Sequence, residues 1–418
     1  VGPTSIIEET RMTKPKALGF SKDRLKTLDA FLERKYVEPG KIPCAQVQIT
    51  RRGELVHETV LGLADRERGK KAERDTLYRI YSMTKPITSL AFMMLVEEGL
   101  VALDDPVTRF IPEWKNLGVF AAGVGPFMTT PPSRPMQMVD LLRHTSGLTY
   151  GFQSRTNVDA AYRKAKVGET HGGGDMDAFV TALAKLPLEF SPGEAWNYSV
   201  STDVLGVLVQ RISGKPFDRF LQERIFGPLG MADTGFQVRE DQKARFAACY
   251  NATPQGGLDL QDDPETSPYL TAPSFQSGGG GLVSTADDYM KFCKMLVNRG
   301  ELDGARLIAP KTLKLMASNH LPGGQDLTKL SRSLFSEATN AGVGFGLGFA
   351  VTFDPVQAML TSSPGEYYWG GAASTAFWVD PVEDIAVVFM TQVLPSSTYT
   401  IRRELRTLVY SALMDPNP

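Results

Sequence analysis

Ser82 and Lys85 stand three positions apart in the run YRIYSMTKPITSLAFMMLVEEGL, residues 78–100, at the mouth of a strongly apolar segment. Residues three apart on a helix share a face, so a helix beginning at Ser82 brings this hydroxyl and this amine within reach of each other. Pro86 supports that start, because its missing N–H is tolerated only in the first turn. A serine at a helix N-terminus meets backbone N–H groups and the positive end of the helix dipole, which favour developing negative charge. An amine at the edge of an apolar helix is a base for that hydroxyl, and the two together are one recipe for an activated nucleophile. The plain alternative is a helix cap followed by a solvated lysine, and the company the pair keeps must decide between them. No other Ser-x-x-Lys occurs in the chain.

The elements that must position this pair follow from periodicity. Residues 21–36 predict a helix capped by Ser21, with Leu25, Leu28 and Leu32 on one face. CAQVQIT and LVHETVLG, joined by RRGE, predict a hairpin. The helix from Ser82 carries Ile87, Leu90, Ala91, Met94 and Leu95 at helical spacing, with Phe92, Met93 and Val96 around the rest, so it is buried on most sides. From 101 to 269 helical stretches such as STDVLGVLVQRIS alternate with Pro/Gly segments such as MTTPPSRP, the pattern of a helical insertion. The run from Gln255 to Gly281 is expected as a long loop, and STADDYMKFCKMLVN as a helix capped by Ser284 or Thr285. Strands follow over GFGLGFAVTF, EYYWGGAASTAFWVD and IAVVFMTQV, and a closing helix over 399–414. Strands at both ends with helices between predict an α+β fold: a sheet domain from 1–100 and 270–418, interrupted by a helical domain over 101–269.

Composition narrows the function. A chain of 418 residues, 42% hydrophobic, buries a large core, and a formal charge of −2 with scattered Lys and Arg argues against nucleic acid or an anionic membrane as partner. Leu90 to Val96 is far shorter than the roughly 20 residues of a membrane span. Cys44, Cys249 and Cys293 are odd in number and widely spaced, which makes neither a disulfide framework nor a zinc pattern and leans toward the cytoplasm. The start at Val1, without methionine, suggests a trimmed N-terminus. No Gly-x-Ser-x-Gly elbow occurs, and His57, His144, His171 and His320 form no zincin or triad pattern, so neither a metal nor a cofactor is expected. His144 is expected to order the loop after a helix. Gly278 to Gly281, with no Gly-Lys-Ser/Thr following, predicts close backbone packing rather than a phosphate loop.

Five motifs then fall in order: SMTK at 82–85, LLRHTSGL at 141–148, NYS at 197–199, GGGGLVSTADDY at 278–289 and WGG at 369–371. In these the chain resembles the class C β-lactamase-like serine hydrolases, and more closely the family VIII carboxylesterases, over nearly its whole length. The resemblance implies a β-lactamase/penicillin-binding-protein-like fold, an antiparallel sheet domain flanked by helices plus an inserted helical domain, with the active site in the cleft. It makes Ser82 the nucleophile, Lys85 its partner and Tyr198 the base or proton shuttle. A phenol, which ionises near pH ~10, needs a cation beside it to act as phenolate near neutrality, and Lys85 would supply one. Which of the two takes the serine proton stays open. The amides of Ser82 and Ala372 are implied as the oxyanion hole, each donor worth roughly 10²- to 10³-fold in rate. Tyr150, after the LLRHTSGL loop, is expected to line the pocket, with Trp369, Gly370 and Gly371 against the substrate.

The function so implied is a carboxylesterase acting on small neutral, short- to medium-chain esters through an acyl-serine, with weak β-lactam hydrolysis. Where β-lactamases carry Lys-Thr-Gly this chain has Trp369-Gly370-Gly371, and Val200 stands where they have asparagine. Acyl transfer to an alcohol or amine, peptide hydrolysis on the same scaffold, and a non-catalytic binding homologue are the competing readings. The retained trio of Ser82, Lys85 and Tyr198 speaks against the last. The sequence leaves the assembly state open.

Overall fold

The computed structural model describes residues 15–332 and 341–417. Its frame is an antiparallel sheet of strands drawn from the two ends of the chain. The N-terminal part supplies β1 (Cys44–Arg51), β2 (Glu54–Asp65) and β3 (Lys70–Lys71). The C-terminal part supplies β4 (Val343–Phe345), β5 (Ala350–Thr352), β6 (Glu366–Gly370), β7 (Ala376–Asp380) and β8 (Ile385–Met390). The order across the sheet is β4-β5-β6-β7-β8-β1-β2-β3. β1 lies between β2 and β8, with Val47 opposite Phe389.

The central strands show why this sequence makes a middle layer. In β8 both sets of alternating side chains are apolar. Ile385, Val387 and Phe389 meet helices α1 (Lys22–Leu32) and α5 (Ile401–Ala412), through Leu25, Leu28, Leu32, Ile401, Leu405 and Val409. Ala386, Val388 and Met390 face the other side, toward α4 (Ala286–Val297) with its Phe292, Cys293 and Leu296. A strand buried on both faces loses the polar alternation of a half-exposed one. β1 keeps it: Ala45, Val47 and Ile49 pack on the α1/α5 side, while Gln48 on the other face donates to Asp287 at 2.5 Å. Ser21 caps α1 by accepting from the Arg24 amide, and Thr285 caps α4.

Helix α2 (Thr84–Glu97) is the innermost element. Every residue from Thr84 to Leu95 is buried, against α3 (Ser201–Ser213) and the 278–282 segment. Ser82 lies not in α2 itself but in a 3₁₀ turn, Tyr81–Met83, that leads into it. The α-helix therefore starts two residues later than the spacing predicted, and Tyr81, at the head of the turn, sits at a φ of 41°. Arg79 anchors the approach to this turn: fully buried, it bonds Asp262 at 2.6 Å and the Ala247 carbonyl at 2.6 Å and stacks 3.9 Å from the Phe246 ring centroid. Tyr289 of α4 holds the turn from the other side, donating to the Met83 carbonyl at 2.8 Å.

Three details differ from the sequence expectation. The glycine-rich run after 255 is not all loop, since Leu258–Asp262 pairs with Cys249–Ala252 as a hairpin. GFGLGFAVTF makes two short strands rather than one, turning at Gly348, whose φ of 99° and contact with Ser89 leave no room for a side chain. EYYWGGAASTAFWVD likewise divides into β6 and β7 around Gly371–Thr375. Among the described residues no helix is long and apolar enough to cross a membrane.

Candidate active site

The Ser82 hydroxyl stands between two groups able to exchange a proton with it. Lys85 Nζ lies 3.1 Å from Ser82 Oγ, and the Tyr198 hydroxyl lies 2.6 Å from it. Lys85 is 2% exposed and Tyr198 1% exposed, so water contributes little around either. The amine also donates to the Gly279 carbonyl at 2.6 Å and stands over the rings of Tyr198 (4.5 Å) and Tyr150 (5.2 Å).

Each partner is held from a different element. Lys85 is fixed by the first turn of α2. Tyr198 precedes α3 on an irregular segment laced to the 144–153 loop. The Asn197 amide donates to the His144 carbonyl at 2.9 Å, the Val200 amide to Thr149 at 3.2 Å, and the Gln153 side chain to the Tyr198 carbonyl at 2.5 Å. His144 packs 5.1 Å from the Tyr198 ring and sits 3.2 Å from the Ser199 hydroxyl through Nδ1. Burial, and after it the charge of Lys85, holds its imidazole well below the usual range, so it is neutral.

The strand β6 closes the site. Trp369, half-buried at its end, donates from its indole N–H to the Tyr198 hydroxyl at 3.3 Å. Gly371 is a glycine for steric reasons, because backbone stands against it, while Gly370 lies against the flexible end of the Arg402 side chain. A Cβ on Gly370 would fall 2.5 Å from the Arg402 guanidinium carbon, and one on Gly371 2.4 Å from the Ile80 carbonyl oxygen. The missing side chain on Gly371 thus lets the end of β6 approach the turn that carries Ser82. Ala372 follows, and with Ser82, Tyr150, Tyr198 and Val200 it lines a cavity of about 750 Å³ that opens over the serine. Trp369 flanks Tyr198, whereas Gly370 and Gly371 are packing positions.

Sequence reasoning missed Asp203 and Gly279 as parts of this cavity. Asp203 is 3% exposed and accepts from the Ser277 hydroxyl at 2.5 Å and the Gly279 amide at 3.0 Å. The signal was an acid in a helix first turn, which ordinarily marks only a helix start. Gly278, Gly279 and Gly281 pack closely, a Cβ on Gly278 meeting the Thr202 carbonyl at 2.8 Å, whereas one on Gly280 would make only ordinary contact, 3.7 Å from Tyr81. Among the described residues no three His, Cys, Asp or Glu side chains gather as a metal site.

A hydroxyl held between an amine and a phenol, at a buried helix mouth beside an antiparallel sheet, defines a hydrolase that works through an active serine. The comparisons with known proteins agree. The beta-lactamase family model matches residues 30–411, and the chain belongs to that family. It is 38% identical over 366 residues to Protein Rv1367c of Mycobacterium tuberculosis, covering 87% of this chain and 88% of that one. It is 32% identical over 381 residues to Esterase EstB of Burkholderia gladioli, covering 87% and 89%. Among solved structures, EstCE1, a hydrolase with promiscuous acyltransferase activity, superposes with a TM-score of 0.79 at 26% identity, covering 95% of this chain and 99% of that one. Within the family the protein is a serine carboxylesterase of the family VIII kind.

Proposed function

We propose that the protein hydrolyses small neutral esters by acylation of Ser82. The observation that carries this is the Ser82 hydroxyl, 2.6 Å from a buried phenol and 3.1 Å from a buried amine. Ser82 Oγ attacks the ester carbonyl while its proton passes to the Tyr198–Lys85 pair. The oxyanion is stabilised by the amides of Ser82 and Ala372. The pair then protonates the leaving alcohol; a water molecule next attacks the acyl carbonyl while the same pair takes its proton, and that proton returns to Ser82 Oγ as the acyl–oxygen bond breaks and the acid leaves.

The preference for neutral substrates rests on Trp369. An indole occupies the position where a β-lactamase has a lysine, so a carboxylate on the substrate gains no cationic partner there. A charge-assisted hydrogen bond is worth about 1.5 to 3 kcal/mol, or roughly one to two powers of ten in binding. The test is kcat/KM for a series of p-nitrophenyl esters and for a carboxylate-bearing cephalosporin, in wild type and in Trp369→Lys. The wild type is expected to favour the short neutral esters, and the variant to gain on the cephalosporin. A wild type that favours the cephalosporin contradicts the assignment.

Acyl transfer is the second reading, favoured by the cavity of about 750 Å³, which leaves space for an alcohol beside an acylated serine. With the esterase reading we propose the two-domain division, 1–100 with 270–418 and 101–269, supported by a sheet whose strands come from both chain ends. Nucleic acid is not a partner in this reading. The cytoplasm is the compartment it favours, on the free buried cysteines Cys44, Cys249 and Cys293.

A further inference from the structure

Asp203 is a buried carboxylate for which the ester chemistry above has no direct use. It lies in the first turn of α3, where the helix dipole favours negative charge. Its Oδ1 accepts from the Ser277 hydroxyl at 2.5 Å and from the Gly279 amide at 3.0 Å. The Tyr150 phenol donates to the same carboxylate. Gly279 then turns its carbonyl to Lys85 Nζ at 2.6 Å, closer than the amine stands to Ser82. A Cβ on Gly279 would lie 2.5 Å from Asp203 Oδ2 and 2.9 Å from the Tyr150 oxygen, so only glycine fits this junction. The N–H and C=O of one residue therefore link the carboxylate to the amine.

We infer that Asp203 is a positioning residue for acylation: through Gly279 it fixes the place of Lys85 Nζ, and it supplies the negative charge that balances the amine inside the buried site. The inference rests on the reading of Ser82 as the nucleophile. The groups that face Lys85 are the Ser82 hydroxyl, the phenols of Tyr198 and Tyr150, the His144 imidazole and Asp203, which is the carboxylate of that set. Burial pushes the Asp203 carboxyl up, while Lys85, Ser277 and Gly279 oppose that push. Burial and then the Asp203 charge push the Tyr150 phenol well up, so Tyr150 keeps its proton and remains a donor.

The test is the rate at which a fluorophosphonate labels Ser82, mapped by mass spectrometry, in wild type and in the near-isosteric Asp203→Asn. Labelling needs an activated serine but no particular ester, so it separates this inference from the choice of substrate. In Asp203→Asn, with the fold verified by circular dichroism, the rate is expected to fall about 10- to 100-fold. In ester turnover kcat falls with it while KM stays within about twofold, the mark of an interaction made only on the way to the transition state. The pH profile of labelling changes, because a buried titratable carboxylate has been removed from the site. Should Asp203→Asn fail to fold, Ser277→Ala loosens the same carboxylate and is expected to slow labelling about 3- to 10-fold. Labelling at the wild-type rate in either variant, with an unmoved pH profile, overturns the inference. A wild type that is never labelled at Ser82 removes the nucleophile itself, and the esterase reading with it.

Discussion

Lys85 and Tyr198 reach the same hydroxyl, and in the proposed chemistry neither works without the other. Groups that share one proton relay give non-additive losses. Lys85→Ala and Tyr198→Phe are each expected to lower kcat by about 10²- to 10⁴-fold, with the double variant little worse than either. Additive losses, measured with one p-nitrophenyl ester across all four proteins, would separate the two roles. His144 acts at this scale on stability. Its folded-state imidazole is held neutral, well below its unfolded value near 6.5, so the unfolded chain binds the extra proton as pH falls. Stability is full above about pH 6.5 and is lost by up to ~1.4 kcal/mol per pH unit as the pH drops from there toward the folded value. His144→Asn, which suits the residue's φ of 59°, is expected to flatten that part of the Tm-against-pH curve. An unchanged slope would place the acid sensitivity elsewhere. Of these residues, Ser82 and Lys85 were legible because they are three apart on one helix face. Tyr198, 116 positions from Ser82, came only through the motif resemblance. Asp203 and Gly279 meet through a backbone amide across 76 positions, and a backbone contact leaves no side-chain signature.

The elements matter through how closely they approach the turn that carries Ser82. β6 ends against it, and Gly371 is the closest point, its absent Cβ standing 2.4 Å from the Ile80 carbonyl oxygen and 2.3 Å from Thr375 Oγ1. Gly371→Ala is therefore expected to push β6 and the Ser82 turn apart. Overpacking of this kind costs about 1 to 3 kcal/mol. A shift of 1 Å at reacting atoms costs about 10²-fold in rate. A fall in kcat larger than the loss in Tm explains would locate the effect at the oxyanion position, whereas wild-type kcat would show that the turn tolerates the displacement. The boundaries of most elements were legible from caps and periodicity, as for α1 with Ser21 and α4 with Thr285. The start of α2 was not, because the same residue spacing serves a 3₁₀ lead-in and the first turn of an α-helix. Nor was the strand Leu258–Asp262, whose side chains are largely exposed and show no apolar alternation.

At the scale of the whole molecule the site stands on one continuous apolar cluster. It runs from Phe377 and Val388 of the sheet, through Tyr289 and Phe292 of α4, to Ile87 and Leu90 of α2 and Leu205 of α3. The sheet therefore sets the position of Ser82 through packed side chains rather than through loops, and such cores transmit small displacements. The α+β class and the joining of both chain ends in one sheet were legible, since apolar runs such as IAVVFM have few other ways to be buried. The pairing order was not, because neighbours such as β1 and β8 are distant in sequence and register is settled only in the assembled sheet. The chemistry proposed for Ser82 passes through a covalent acyl-serine. To trap it, the protein is mixed with p-nitrophenyl acetate, quenched in acid within the first turnover, and the acetyl group is mapped by mass spectrometry. One acetyl group per chain is expected, on the peptide carrying Ser82, appearing with a burst of p-nitrophenol and absent from Ser82→Ala. Turnover with no acetylated serine, or an acetyl group on another residue in a fully active Ser82→Ala, would contradict this chemistry.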